Sequence, residues 1–297
     1  MSRAVLSVDL GGTHMRAALV DADGTILERS IADTPHDGEG AGALEDLAAG
    51  VLAGSGATMA VIGVPGRVDY QHGTVGYAPN LPAGWMAELT TESLAASLDV
   101  TVCLANDGDI AAVGEGYHGA GRGYRDVAYV TISTGVGAGI LLDGRVVHGR
   151  RSIAELGHTT IDRLAQARGE PCTVEDLGSG TTVGRLAIEA GIEASGEAFD
   201  RLVDEGDPTA NGVWEEVLGA DAVAVTNLAH LFTPEVVVIG GGLGRSSPRI
   251  VDVIRDHVDR HGPPGLPTPI EVAPAALGDD SGLVGAASWQ TAFGLDP

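Results

Sequence analysis

Lysine is absent from this 297-residue chain, and all 17 of its basic residues are arginine. That absence removes several chemistries at once. A phosphate loop of the GxxxxGK[ST] type, a Schiff-base nucleophile and the strand lysine of a protein kinase all require an ammonium group. Positive charge is scarce altogether: 41 acidic residues leave a formal net charge of −24. Nucleic acids and anionic membranes are gripped by a basic face, so the balance argues against both as partners. It does not argue against a nucleotide, whose phosphates backbone N–H groups and a metal ion can meet. The simplest account of the acidity itself is a solvated surface. Cysteine is almost missing, and Cys103 and Cys172 lie too far apart to suggest a disulfide framework. They fit a reducing, cytoplasmic setting. No apolar run approaches the roughly 18 residues of a membrane span, and Asp9 interrupts the N-terminal run before a signal-peptide core can form.

What the chain does have is a hydrophobic fraction of 44%, ample for a packed core. Its length suits two domains of ordinary size. Residues 4–28 carry the strongest pattern. A β-branched strand, Val5–Val8, runs into Asp9 and then Gly11–Gly12–Thr13; a second strand, Met15–Val20, an Asp23–Gly24 turn and a third short strand follow. Paired glycines allow a tight hairpin whose N–H groups approach a phosphate, and the acid ending the first strand is placed to hold Mg²⁺ through water. Residues 127–149 repeat the scheme with Ser133–Thr134–Gly135, Gly137, Gly139 and an Asp143–Gly144 turn. Either segment alone reads equally well as an ordinary hairpin. Together they suggest a duplicated α/β fold clamping a phosphate between two halves.

Periodicity predicts helices over 43–54, 87–98, 110–117, 182–191, 197–204, 213–232, 248–260 and 282–293, with buried strands at Met59–Val64, Val100–Ala105 and Val236–Ile239. A strand over 269–273 follows a proline-rich loop, and the stretch up to Gly180 reads as turns. Asp107 falls where a strand becomes a helix, the usual place for functional groups in α/β folds, with Asn106 beside it as a hydroxyl-binding amide. A helix N-cap explains the same aspartate equally well. Glu155–Leu156–Gly157–His158 sets a carboxylate and an imidazole on one turn, suited to a metal or a polyol; zincin spacing is lacking. Gly240–Gly242 after a VVVI strand fits nucleotide contact, but the spacing does not support a dinucleotide site.

In order, DLGGT (9–13), VPGRVD (64–69), APNLPAGW (78–85), AND (105–107), TISTGVGAGI (131–140), ELGH (155–158), EDLGSG (175–180) and VIGGG (238–242) resemble the ROK family of sugar kinases, within the actin/hexokinase/Hsp70-like ATPase superfamily. The resemblance implies a two-domain, duplicated RNase H-like (actin-like ATPase) α/β fold with the active-site cleft between the domains. It implies a small N-terminal domain over 1–108, on which a helix over 282–297 packs back, and a large domain over 109–281. It implies an ATP-dependent hexose kinase, glucose being the first expectation. Fructose, N-acetylglucosamine or N-acetylmannosamine are the alternative substrates, and a non-catalytic sugar sensor is the alternative role.

By the same resemblance Asp107 is the general base, and Gly66, Asn80, Asn106, Glu155, His158 and Glu175 join it in contacting sugar. Asp9, Gly11, Gly12 and Thr13 form the first phosphate loop, with Asp9 near Mg²⁺; Thr134, Gly135 and Gly137 form the second, and Gly241 and Gly242 the nucleotide turn. ATP and Mg²⁺ are the implied cofactors, and a cytoplasmic homodimer the implied state. Family repressors carry a winged helix before the first strand, which here begins at Ala4, so a repressor is not expected. Zinc-bearing members follow their GH with CxCGxxGC; here TTIDRLAQARGEPC follows His158, so no structural zinc is expected.

Overall fold

The computed structural model describes residues 4–36, 41–78, 81, 82, 84–192 and 196–295. Strands β1 (Val5–Leu10) and β2 (His14–Val20) make the first hairpin, and β3 (Ile26–Asp33) extends it. Helix α1 (Gly42–Leu52) turns Leu44, Ala48 and Val51 inward, the spacing of one helical face. Strand β4 (Met59–Val64) is buried at every position, as a parallel strand covered on both faces must be. A short hairpin of β5 (Arg67–Asp69) and β6 (Thr74–Tyr77) follows. The helix expected over 87–98 is two helices, α2 (Trp85–Glu88) and α3 (Thr91–Leu98). Thr90 between them is extended, and its hydroxyl accepts the Ser93 N–H at 3.0 Å, capping α3. Strand β7 (Thr101–Asn106) leads without a loop into α4 (Asp107–His118), which starts three residues before the expected 110.

The second set opens with β8 (Val127–Ile132), β9 (Val136–Leu142) and β10 (Arg145–Val146). The expected turns before Gly180 contain two short helices, α5 (Arg163–Arg168), capped by Asp162, and α6 (Val174–Gly178), closed by a Thr173–Asp176 capping box. Helices α7 (Gly180–Glu189), α8 (Glu197–Asp204) and α9 (Pro208–Phe232) follow. Asp207 and Pro208 start α9 five residues ahead of the expected 213, an N-cap and an N1 proline. Then come β11 (Val236–Gly240), α10 (Pro248–His261) and β12 (Glu271–Pro274). The expected continuous helix over 282–293 is broken into α11 (Ser281–Gly285), a 3₁₀ turn at Ala286–Ser288 and α12 (Trp289–Phe293).

The two sheets have the same plan. One runs β3-β2-β1-β4-β7 and the other β10-β9-β8-β11-β12. In the first, β1–β2 and β2–β3 are antiparallel while β1–β4 and β4–β7 are parallel. In the second, β9–β10 is antiparallel while β8–β11 and β11–β12 are parallel. By packing, the chain divides into two compact units, one of 1–125, 139–153 and 280–297, the other of 126–138 and 154–279. Residues 109–125 and 139–153 fall in the first unit. In that unit α11 crosses α4 at backbone contact: a Cβ on Gly285 would fall 1.9 Å from the Ile110 carbonyl oxygen. Ser281 on α11 donates to the buried Glu115 of α4 at 2.8 Å. The helix that begins with Asp107 is therefore fixed along its length. Among the described residues no helix is long and apolar enough to cross a membrane.

Candidate active site

In the first unit the chemistry gathers where β7 passes into α4. Asn106 is the N-cap, its Oδ1 accepting the N–H groups of Gly108 and Asp109 at 3.0 and 3.1 Å. The cap is therefore Asn106, and Asp107 stands at the first helical position with its side chain exposed. Asn106 Nδ2 donates to Asp107 Oδ1 at 3.0 Å and to the Gly66 carbonyl at 2.8 Å. The Gly108 N–H also donates to Asp107 Oδ1, at 2.9 Å. Two donors thus fix the orientation of the Asp107 carboxylate at the helix N-terminus. Gly66 must be glycine: its φ is +104°, and a Cβ there would fall 2.0 Å from the Tyr77 carbonyl oxygen. Gly66, Asn106 and Asp107 are thus brought together. Asn80 lies outside the described residues.

The first hairpin presents Gly11, Gly12 and Thr13 at its turn, where the Gly11 N–H donates to the His14 carbonyl at 3.0 Å. Thr13 is exposed. Asp9 faces Arg16 across the β1–β2 ladder, and Arg16 donates to Asp9 Oδ2 through Nη2 and, at 3.1 Å, through Nε. One carboxylate already bonded to a guanidinium suits a Mg²⁺ ion that keeps much of its water and leans on phosphate oxygens, not one caged by side chains. The residues present fit the ion in that way.

In the second unit the β8–β9 loop carries Thr134 and Gly135, and Gly137 follows as the second residue of β9. Its turn is closed by the Ser133 N–H donating to the Gly135 carbonyl at 2.8 Å. The start of α7 braces it: the Gly180 N–H donates to the Ser133 carbonyl at 2.7 Å, and the Thr181 hydroxyl to the Thr134 carbonyl at 2.7 Å. Glu175 on α6 reaches the same loop, its Oε2 accepting the Val136 N–H at 3.0 Å. The ELGH turn packs beside it, since a Cβ on Gly157 would fall 2.2 Å from the Val136 carbonyl oxygen. His158 Nε2 lies 3.7 Å from Glu155 Oε2, and the imidazole is exposed. The Glu155–His158 turn and Glu175 thus both meet the start of β9, and Glu175 doubles as a brace for the phosphate loop.

Gly241, at φ +83°, turns the chain after β11, and a Cβ on Gly242 would meet open space. Over this turn lies a cavity of about 450 Å³. Thr134 and Gly242 form one side of it, while Val183, Ala187, Phe199 and Leu243 supply apolar wall. An apolar slot beside a braced backbone loop matches a planar base joined to phosphates. Sequence reading missed these wall residues. Val183 and Ala187, one helical turn apart, have the spacing of core positions, and no local signal marks them as lining a cavity.

A profile of the ROK family matches residues 5–292. The chain belongs to the ROK family. It is 32% identical to a glucokinase of Thermotoga maritima, covering 96% of either chain, and 30% identical to an N-acetylmannosamine kinase of Yersinia pseudotuberculosis, covering 97% of this chain and 98% of that one. Its fold matches a ROK family glucokinase from Streptomyces griseus in complex with glucose and AMPPNP, with a TM-score of 0.79 and 28% identity over 96% of this chain and 98% of that one. The Streptomyces griseus structure thus shares the fold described above.

Proposed function

We propose that this protein is an ATP-dependent glucokinase that transfers the γ-phosphoryl group of ATP to the 6-hydroxyl of glucose, with Asp107 as general base. The observation that carries the reading is the cavity of about 450 Å³ on the Thr134 and Gly242 turns, whose apolar walls call for a base and hence for a nucleotide over a bare polyphosphate. The family and the glucokinase relatives support sugar as the acceptor.

Phosphoryl transfer asks a protein chiefly for positioning and charge stabilisation. Asp107 takes the proton of the attacking hydroxyl, its orientation set by Asn106 Nδ2 and the Gly108 N–H. Asn106 and Gly66 fix the corner on which the sugar lies; Glu155, His158 and Glu175 offer acceptors and an imidazole to further hydroxyls. The N–H groups of Gly12 and Thr13 in the first turn, and of Thr134 and Gly135 in the second, meet phosphate oxygens without any lysine. When bound, Mg²⁺ would be held through water by Asp9 and would neutralise charge on the phosphates. Cys103 and Cys172 are both free thiols, in keeping with a cytoplasmic setting.

The test is ADP release with MgATP across glucose, mannose, fructose, N-acetylglucosamine and N-acetylmannosamine, beside Asp107→Asn. Turnover is expected to be highest on glucose and to fall at least about 100-fold in the variant. Preference for N-acetylmannosamine would move the substrate to that of the Yersinia relative. Near-normal turnover of Asp107→Asn would remove the base assignment.

A further inference from the structure

The main chain entering α4 is also held by a tyrosine. The Tyr70 hydroxyl, just past β5, accepts the backbone N–H of Asn106 at 3.1 Å and donates to Asp109 Oδ2 at 2.6 Å. Asp109 is fully buried on the first turn of α4. Strand β7 ends its sheet, so the Asn106 N–H has no further strand to pair with and takes a phenol oxygen in its place. The Tyr70 ring is wedged among three others: its centroid lies 4.8 Å from Phe293, 5.6 Å from His148 and 6.1 Å from Trp289. A ring held on three sides gives its hydroxyl little freedom, and two hydrogen bonds of opposite sense fix it further.

We infer that Tyr70 and Asp109 act as a positioning pair for catalysis, setting the backbone at Asn106 and through it the orientation of the Asp107 carboxylate. Neither residue reaches the reacting atoms in this assignment. Burial, followed by the charge of Asp109, holds the Tyr70 phenol well above its ordinary pKa, so it stays protonated and available to donate. The chain of contacts is short. Tyr70 holds the N–H of Asn106, Asn106 Nδ2 holds Asp107 Oδ1, and Asn106 Oδ1 caps the helix that carries both acids. Loss of the hydroxyl leaves a buried N–H and a buried carboxylate oxygen each short of a partner, and the corner relaxes to recover them.

The inference rests on the kinase reading, and two readouts separate the fates of the two. The first is amide hydrogen exchange on the intact protein, which needs no substrate. Tyr70→Phe is expected to speed exchange in the peptide spanning 103–112 while peptides of β8 and β11 keep their rates. The second is steady-state kinetics with glucose and MgATP. Tyr70→Phe and Asp109→Leu are each expected to lower kcat about 10- to 100-fold, the scale of a small misplacement at a reacting centre, with KM for MgATP unchanged. Asp109→Asn keeps an oxygen to accept the phenol proton and is expected to retain most of kcat. The double variant Tyr70→Phe/Asp109→Leu should be no slower than the worse single one, because the pair acts as one unit.

Wild-type exchange and wild-type kcat in Tyr70→Phe would overturn the inference. So would an unchanged kcat accompanied only by a lower Tm, which is the mark of a merely structural contact. Faster exchange at 103–112 in a protein that phosphorylates no sugar would leave the pair standing as a support of α4 and overturn the kinase reading alone.

Discussion

Gly135 has no side chain because Glu175 occupies the space one would need: a Cβ there would fall 2.3 Å from Glu175 Oε2. The same oxygen takes the Val136 N–H at 3.0 Å, so the glycine and the glutamate are two halves of one device that holds the phosphate loop. Glu175→Ala leaves that N–H without its charged acceptor and is expected to destabilise the protein by about 1–3 kcal/mol. Gly135→Ala pushes the carboxylate off the same N–H and should cost a similar amount. If they break one interaction, the double variant is no worse than either single change by more than a few tenths of a kcal/mol. Urea denaturation of the four proteins measures this, and strict additivity would show that the two act independently. The device was only half readable beforehand. Gly135 and Glu175 each stood out by type and place, but the bond between them spans 39 residues, and no local pattern reports a contact at that separation.

At the scale of elements, the kind of element was more legible than its bounds, since caps such as Asp207–Pro208 start α9 ahead of its apolar period. β4, all apolar and six residues long, was read to the residue, and α8 likewise. The β5–β6 hairpin was not, because strands of three and four residues show too little alternation to register. Helices α5 and α6 are about one turn each and exist by virtue of their caps, so they resemble the turns expected there. Trp289, the first residue after the break, packs on the distant Tyr70, a contact that composition does not announce.

The packing of α6 on α9 holds a further group that no pattern flagged. Asp221, in the middle of α9, is almost wholly buried, and neither carboxyl oxygen has a hydrogen-bond partner among the described residues. Oδ1 lies against Gly178, where a Cβ would come within 2.4 Å of it. Burial drives this carboxyl well above the usual carboxylate range, so the folded protein favours its protonated form. An acid whose pKa rises on folding supports stability fully below its unfolded value, near 3.9, and that support is lost as pH climbs through the folded value. Asp221→Asn, which never ionises, is therefore expected to be stabilising relative to the parent at pH 7.5. The advantage should shrink as pH falls towards 4.5. Urea denaturation at both values gives the comparison, and an effect equal at the two would mean that the aspartate does not titrate on unfolding.

For the molecule as a whole the deciding quantity is charge. With 41 acidic residues against 17 arginines, most surface acids have no cation to pair with. Several arginines are already engaged at exposed sites, as in Arg168–Glu170, Arg185–Glu189 and Arg260–Asp256. Such pairs contribute at most about 1 kcal/mol each and weaken in salt. The unpaired surplus repels itself in the folded state, where the acids are held closer than in the unfolded chain. Added salt acts on both terms in opposite directions. The attraction involves a limited set of arginines, while the repulsion runs among all the remaining carboxylates, so screening should relieve more than it removes. The screening length falls from about 30 Å at 0.01 M to about 3 Å at 1 M salt, which takes neighbouring acids from mutually felt to mutually hidden. Thermal unfolding is expected to move up by several degrees between 0.01 M and 1 M NaCl, and by the same amount in KCl, since screening depends on ionic strength and not on the cation. A Tm that stays level or falls would mean that the acidic surface is spaced widely enough to be neutral in stability, and that the arginine pairs carry more than their exposure suggests.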